Sequence, residues 1–168
     1  MLRTVGFDVE PSRADTPAAM AMKITEALLA EHVVFHSLFD QIERLIPGLG
    51  KVSEVRALAQ LLEAMLQAHS KVEDELIIEP LEHCFEQLGQ QDTFHEEHLE
   101  IDRSLKQCLK ARNLPSARDL LQRAVAASRH HFDKEERLVF PMAEKILKAR
   151  TLSSLGEQWM QRRKAISG

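Results

Sequence analysis

His69 and Glu73 stand four residues apart, and so do His131 and Glu135. On a helix, that spacing sets one side chain above the other on a single face. Both pairs fall on apolar stripes: His69 follows Met65 by four, and Glu73 precedes Leu76 by three. His32 fits between Leu28 and Phe35 on its stripe, and His98 between Phe94 and Ile101. Four helices would each turn one imidazole inward, and two would add a carboxylate. A lone inward His is ordinarily a hydrogen-bonded core residue, but an inward Glu is costly unless partnered. Six such residues on four stripes would sacrifice much of a core for no structural gain, whereas metal binding accounts for all of them.

Imidazole nitrogens and carboxylate oxygens suit Fe, Mn or Zn rather than Cu(I) or a thiolate-bound cluster. Coordination arithmetic favours two ions. Four His offer about four donor atoms and two bridging carboxylates about four more, against about twelve for two octahedral ions. A bridging oxo or hydroxo group would fill two of the remainder. About two positions would stay open for O2, peroxide, NO or water. Tetrahedral structural zinc would be overligated by this set. Two non-haem iron ions are therefore expected, with Mn or Zn as the other metals these donors suit.

The elements that must carry these residues are helices. Residues 1–16 lack periodicity and read as an irregular arm, with residues 17–168 as one domain. Thr16 as cap and Pro17 at the first helical position suit a helix start. The stripe Ile24, Leu28, Phe35, Phe39, Ile42, Ile46 then runs until Pro47-Gly48. A second helix is expected from near Ser53, with Leu58, Leu62, Met65, Val72 and Leu76 inward. Pro80 should kink or stop it, leaving a short continuation from Leu81 to Leu88. A third helix carries Phe94, Ile101, Leu105 and Cys108, ending around Asn113-Leu114-Pro115. A fourth opens near Ser116, shows Leu121, Val125, Leu138 and Met142, and meets Pro141. A short last helix around Leu155–Lys164 holds Trp159. Four long amphipathic helices with short links predict an all-α, up-down-up-down four-helix bundle.

The chain also repeats itself. Glu31-His32 is echoed by Glu97-His98, and the run from His69 through Glu73 to Ile77 by the run from His131 through Glu135 to Val139. Two related helical hairpins across a pseudo-twofold axis are expected.

Composition excludes several classes. The 168 residues are 44% hydrophobic and 29% charged, which argues against disorder. Six Gly, six Pro and no Tyr argue against an all-β fold. With 22 Lys and Arg against 26 Asp and Glu, the formal charge of −4 offers no footprint for nucleic acid. Cys84 and Cys108 have no CxxC spacing and read as small core residues in a reducing cytoplasm. The N-terminal residues form no apolar targeting core, and no apolar run would span a bilayer.

The remaining candidates divide by position. His95, three before His98, could reach the same face as an extra ligand or gate. His130 competes with His131 through its five-residue spacing to Glu135, though the internal repeat favours His131. His36 and His83 read as solvated or as supporting groups. Glu136 could orient a ligand His through its other ring nitrogen, with a surface ion pair as the competing role. From Val72 to Glu100 there are ten acids and no Lys or Arg, read as a solvated acidic face rather than a funnel for cations. Arg162-Arg163-Lys164 suit the negative end of the last helix.

The combination of Glu31-His32, His69-x-x-x-Glu73, Glu97-His98 and His131-x-x-x-Glu135-Glu136 before Phe140-Pro141, with Met160 and Arg162-Arg163 in the closing helix, resembles the hemerythrin-like, or HHE cation-binding, domains. The resemblance covers about residues 20–165. It implies a four-helix bundle with a di-iron centre, in which His32, His69, His98 and His131 are terminal ligands and Glu73 and Glu135 bridge. Oxygen carriers of this family typically supply five His, two of them four apart on the third helix. Here Phe94 and Asp102 flank His98 at that spacing. The carriers' His-x-x-x-x-Asp is also replaced by His131-x-x-x-Glu135. The four-His, two-Glu set looks more like the branch linked to iron–sulfur repair, nitrosative stress, peroxide handling and iron sensing. An arm without Cys departs from the repair proteins, which usually carry a Cys-containing N-terminal module.

The expected function is to bind or react with O2, peroxide or NO at the di-iron pair, in oxidative or nitrosative stress or iron handling. The sequence leaves open whether the ligand is turned over. The competing reading is a non-enzymatic iron or oxygen sensor, whose metal occupancy orders the bundle for a protein partner. A metal-free helical interaction module is the third class.

Overall fold

A computed structural model describes residues 22–87 and 91–166, with the side chains of 87–95 and 166 left aside. The arm expected over residues 1–16, the Thr16-Pro17 start, and the side chains of Phe94 and His95 lie outside the described residues. The elements are α1 (Ile24–Leu45), α2 (Val52–Glu73), α3 (Glu79–Gln87), α4 (Gln91–Lys110), α5 (Leu114–Lys134), α6 (Phe140–Ile146) and α7 (Ala149–Ile166). No strand occurs among the described residues. The fold is an all-α helical bundle.

Local chemistry fixes the helix ends. α1 begins at Ile24 because Lys23 is extended and its N–H donates to Glu26 Oε2 at 2.9 Å. A 3-10 turn, Ile46–Gly48, closes it at Pro47. Lys51 N–H donates to Glu54 Oε2 at 3.0 Å to start α2. Asn113 caps α5, its Oδ1 accepting from Ser116 N–H at 2.9 Å. Pro115 therefore lies in the first turn of α5, where its missing N–H costs nothing, rather than at the end of α4.

Neither Pro80 nor Pro141 stops its helix. A proline ring strikes the carbonyl four residues back in a regular helix. Here the chain widens just before each proline. Glu79 N–H reaches back five residues to Asp74 O, and Phe140 N–H to Glu135 O, giving π-helical segments Asp74–Ile78 and Glu135–Val139. A π turn holds one extra residue, so the inward face shifts by about 100° beyond it. Leu138, expected inward, is consequently 44% exposed, while Val139 and Phe140 are buried.

The core forms two apolar clusters. One gathers Phe35, Phe39, Leu62, Ile101, Leu105, Leu121 and Phe132, the other Ile24, Leu28, Ile77, Leu81, Val139 and Leu152. Between them lies a buried polar layer of His32, His69, Glu73, His131 and Glu135. The last helix is not short: α7 runs for 18 residues along α1. A Cβ on Gly156 would stand 1.9 Å from Met22 O, so only glycine permits this approach. Cys108 is buried, whereas Cys84 is half-buried rather than in the core; both are free.

Candidate metal centre

The structure brings the six candidate residues together. Oxygen or nitrogen atoms of His32, His69, Glu73 and Glu135 lie within 4.8 Å of one another, and so do those of Glu73, His98, His131 and Glu135. Glu73 and Glu135 belong to both groups. The i to i+4 spacing on α2 and at the end of α5 places each His one turn before its Glu. His131 Nε2 is 2.7 Å from Glu135 Oε1, and His69 Nε2 is 3.6 Å from Glu73 Oε2.

Each imidazole presents Nε2 to this cluster and Nδ1 to a carboxylate outside it. His69 Nδ1 donates to Glu31 Oε2 at 2.8 Å, and His131 Nδ1 to Glu97 Oε2 at 2.8 Å. His32 Nδ1 donates to Glu136 Oε1 at 3.0 Å, and His98 Nδ1 faces Asp74 Oδ1 at 3.3 Å. The order is cyclic: each helix of α1, α2, α4 and α5, taken with the turn that continues it, supplies a His and an acid for the next helix's His. A carboxylate only accepts, so the hydrogen belongs on Nδ1 and Nε2 is left with its lone pair.

The interior is thus crowded with acceptors. His32 Nε2 and His69 Nε2 stand 3.2 Å apart, His98 Nε2 and His131 Nε2 2.6 Å apart. No hydrogen bond satisfies any of the four buried oxygens of Glu73 and Glu135. Facing lone pairs and orphaned buried carboxylate oxygens fit a bound cation, which is the one partner that satisfies them all at once. Burial pushes the Glu73 carboxyl up to about 8, reinforced by Glu135 nearby. Burial likewise raises Glu135 well above the usual range. Burial also drives His32 down to about 2, helped by His69, His131 and His36. Burial would raise Glu97, but the hydrogen bonds from His131 and Lys134 outweigh it and hold the group at about 2.

Residues 23–143 match the family described as the hemerythrin HHE cation binding domain. The chain belongs to that family. Neither a curated protein nor a solved structure matches it. As a hemerythrin-family cation-binding domain, it has its His and Glu clusters inside the matched stretch.

Around the centre of this hemerythrin-like domain, aromatic rings form a dry wall. Phe132 stacks on His32 with centroids 3.9 Å apart, and Phe35 meets His69 edge-on. A cavity of about 420 Å³ between α2 and α4 reaches His69, His98 and His131, with Leu66, Ile101 and Leu105 among its walls. His98 is the least buried of the four imidazoles, with 14% of its side chain exposed.

The other candidates fall elsewhere. His130 is exposed and absent from both clusters. His36 meets Arg129, and His83 lies at the surface beside Glu86. Glu136 faces His32 rather than serving a surface ion pair alone. The acidic run is not one solvated face, since Glu73 is buried, Asp74 and Glu97 face imidazoles, and Glu75 pairs with Arg162. The roles of Glu31, Asp74 and Glu97 were missed by sequence reasoning. The signal was there in the repeat, which pairs an acid with His32 and His98, and a second acid with Glu73 and Glu135.

Proposed function

We propose that the chain holds two iron ions, one between His32 and His69 and one between His98 and His131, with Glu73 and Glu135 shared between them. The observation that carries this reading is the sharing itself: two four-residue groups of acceptor atoms have both carboxylates in common. The same nitrogen and oxygen set would also take Mn or Zn. When bound in its reduced state, the iron pair supplies electrons and an open coordination position to a small ligand, O2, peroxide or NO. The chain's own contribution is positional. The outer acids hold each Nε2 toward the centre, and Phe35 and Phe132 keep water from the His32 side. The cavity at His98 gives a small ligand its way in. A role in oxidative or nitrosative stress or in iron handling follows from those ligands. The free thiols Cys84 and Cys108 suit the reducing cytoplasm. No helix among the described residues is long and apolar enough to cross a membrane.

A sensor reading is favoured by one observation, the polar layer that divides the core: a cation there would tie the two apolar clusters together. Sustained peroxide turnover supports a catalyst, and protease resistance that depends on metal without turnover supports a sensor. The primary test is elemental analysis of protein purified anaerobically, with optical spectra before and after air. Two irons per chain and a new absorption band in air are expected. Protein without bound metal, which also fails to take up added iron, overturns the reading.

A further inference from the structure

The two halves of the site anchor their outer acids differently. Glu97, the acid on His131, also accepts from Lys134 Nζ at 2.8 Å, and Lys134 follows His131 by three residues on α5. The repeat aligns His131 with His69, so the equivalent of Lys134 on α2 is Val72, which is buried and apolar. The first half therefore has no cation at that position for Glu31, the acid on His69.

α7 fills this gap. Arg163 grips Glu31 with both arms of its fork, Nε to Oε1 at 2.7 Å and Nη2 to Oε2 at 2.9 Å. Its Nη1 donates to Ala68 O at 2.9 Å, one residue before His69, and its guanidinium lies over the Trp159 ring. The fork is therefore fixed by α2 and by α7 as well as by its target. Arg162 makes a separate ion pair with Glu75, which docks the helix without touching any imidazole's acid. Arg163 lies outside residues 23–143, the stretch that matches the family.

We propose that Arg163 is a positioning residue of the metal centre, by which α7 supplies to His69 the support that Lys134 supplies to His131. The proposal rests on the metal reading above only for its effect on the cation; its effect on the His69 ring stands apart from it. A carboxylate held at both oxygens keeps its place against Nδ1, which keeps Nε2 directed inward. Losing the fork frees Glu31 to swing away, and His69 then samples both tautomers.

The test compares Arg163→Gln with Arg162→Gln in the full chain. Anaerobic ferrous titration against a competing chelator is expected to show one of two ions weakened by about 10- to 100-fold in Arg163→Gln. Arg162→Gln should bind like the wild type. Imidazole nitrogen NMR of chelated protein is expected to show His69 with a fixed Nδ1–H in the wild type and a mixture in Arg163→Gln. Unchanged affinity and tautomer in Arg163→Gln, or an equal loss in Arg162→Gln, overturns the proposal. If Arg163→Gln fails to fold, Arg163→Lys replaces it, keeping the charge but not the fork. A smaller loss confined to the same ion is then expected, and no loss overturns the proposal. A wild type that binds no ferrous ion sinks the metal reading alone, because the tautomer measurement still decides whether Arg163 holds His69.

Discussion

Glu31 is the chain neighbour of His32, yet its carboxylate accepts from His69 on the facing helix at 2.8 Å. Glu97 repeats the arrangement, lying beside His98 and serving His131 at 2.8 Å. Glu31→Gln and Glu97→Gln should each weaken cation binding by about 10- to 100-fold while leaving the fold intact. Chelator competition measures the loss, and circular dichroism checks the fold. Equal affinity in both variants would mean the acids are ornamental.

Glu73 and Glu135 should behave oppositely in loaded and chelated protein. Their oxygens are buried without a hydrogen bond, so the metal-free chain carries the desolvation cost unrelieved. Glu73→Gln should stabilise the chelated protein by about 1–3 kcal/mol and abolish loading of two ions. Thermal melts with and without chelator provide both numbers.

pH separates the two forms in the same way. In the metal-free chain Glu73 is pushed up to about 8 and Glu135 is raised as well, so the folded state binds more protons than the unfolded one above pH 4.5. The Glu73 contribution is full below 4.5 and is lost as pH rises through 8, and that of Glu135 is lost in the same direction. His32, driven down to about 2, works the other way, losing stability as pH falls below 6.5. From pH 6.5 to 8 only the carboxyl effect operates, so the chelated protein should lose stability. Loaded protein should hold its stability there, because a cation needs ionised Glu and neutral His, which is also how the unfolded chain stands above 6.5. Melting temperatures should fall across that window for the chelated protein and stay level for the loaded one.

Much of the centre was legible because its residues interrupt apolar stripes. His32, His69 and Glu73 sit at positions where a bundle helix should bury Leu or Val, and position alone gave their direction. Of the acids around them only Glu136 was legible as a partner; Glu31, Asp74 and Glu97 were not, because each serves a residue on another helix, and no spacing along the chain records that. Leu138 was misplaced for a different reason. Helical periodicity assumes 3.6 residues per turn, and the wider turn Glu135–Val139 breaks the count. α7 starts at Ala149, ahead of the expected Leu155, because Leu152 anchors its first turn in the core.

Gly156→Ala tests how closely α7 must approach. The added carbon would meet Met22 O at 1.9 Å, and backbone cannot yield as a side chain would. A loss of about 1–3 kcal/mol is expected in denaturant unfolding. A neutral result would show that α7 can shift along α1 at little cost.

Thiol chemistry offers a simple check on the packing at the far end of the bundle. Burial raises the Cys108 thiol, and its Sγ donates to Ala117 O at 3.3 Å. Alkylation near pH 8 should therefore proceed at Cys84 and stall at Cys108 until denaturant is added. Mass spectrometry after brief iodoacetamide treatment should find one labelled site, and two labelled sites would indicate a looser core.

The buried polar layer between two apolar clusters has a consequence for how the molecule opens. Side chains that repel one another across a seam make that seam the first place to part. With the cation removed, amide hydrogens around Leu121 and those around Leu81 should exchange with separate opening free energies, as two small cooperative units. A cation gripped by the layer between the two clusters would fuse them into one. The protein's cooperativity would then be a property of its occupant, set by a few atoms at the middle of the chain's own interior.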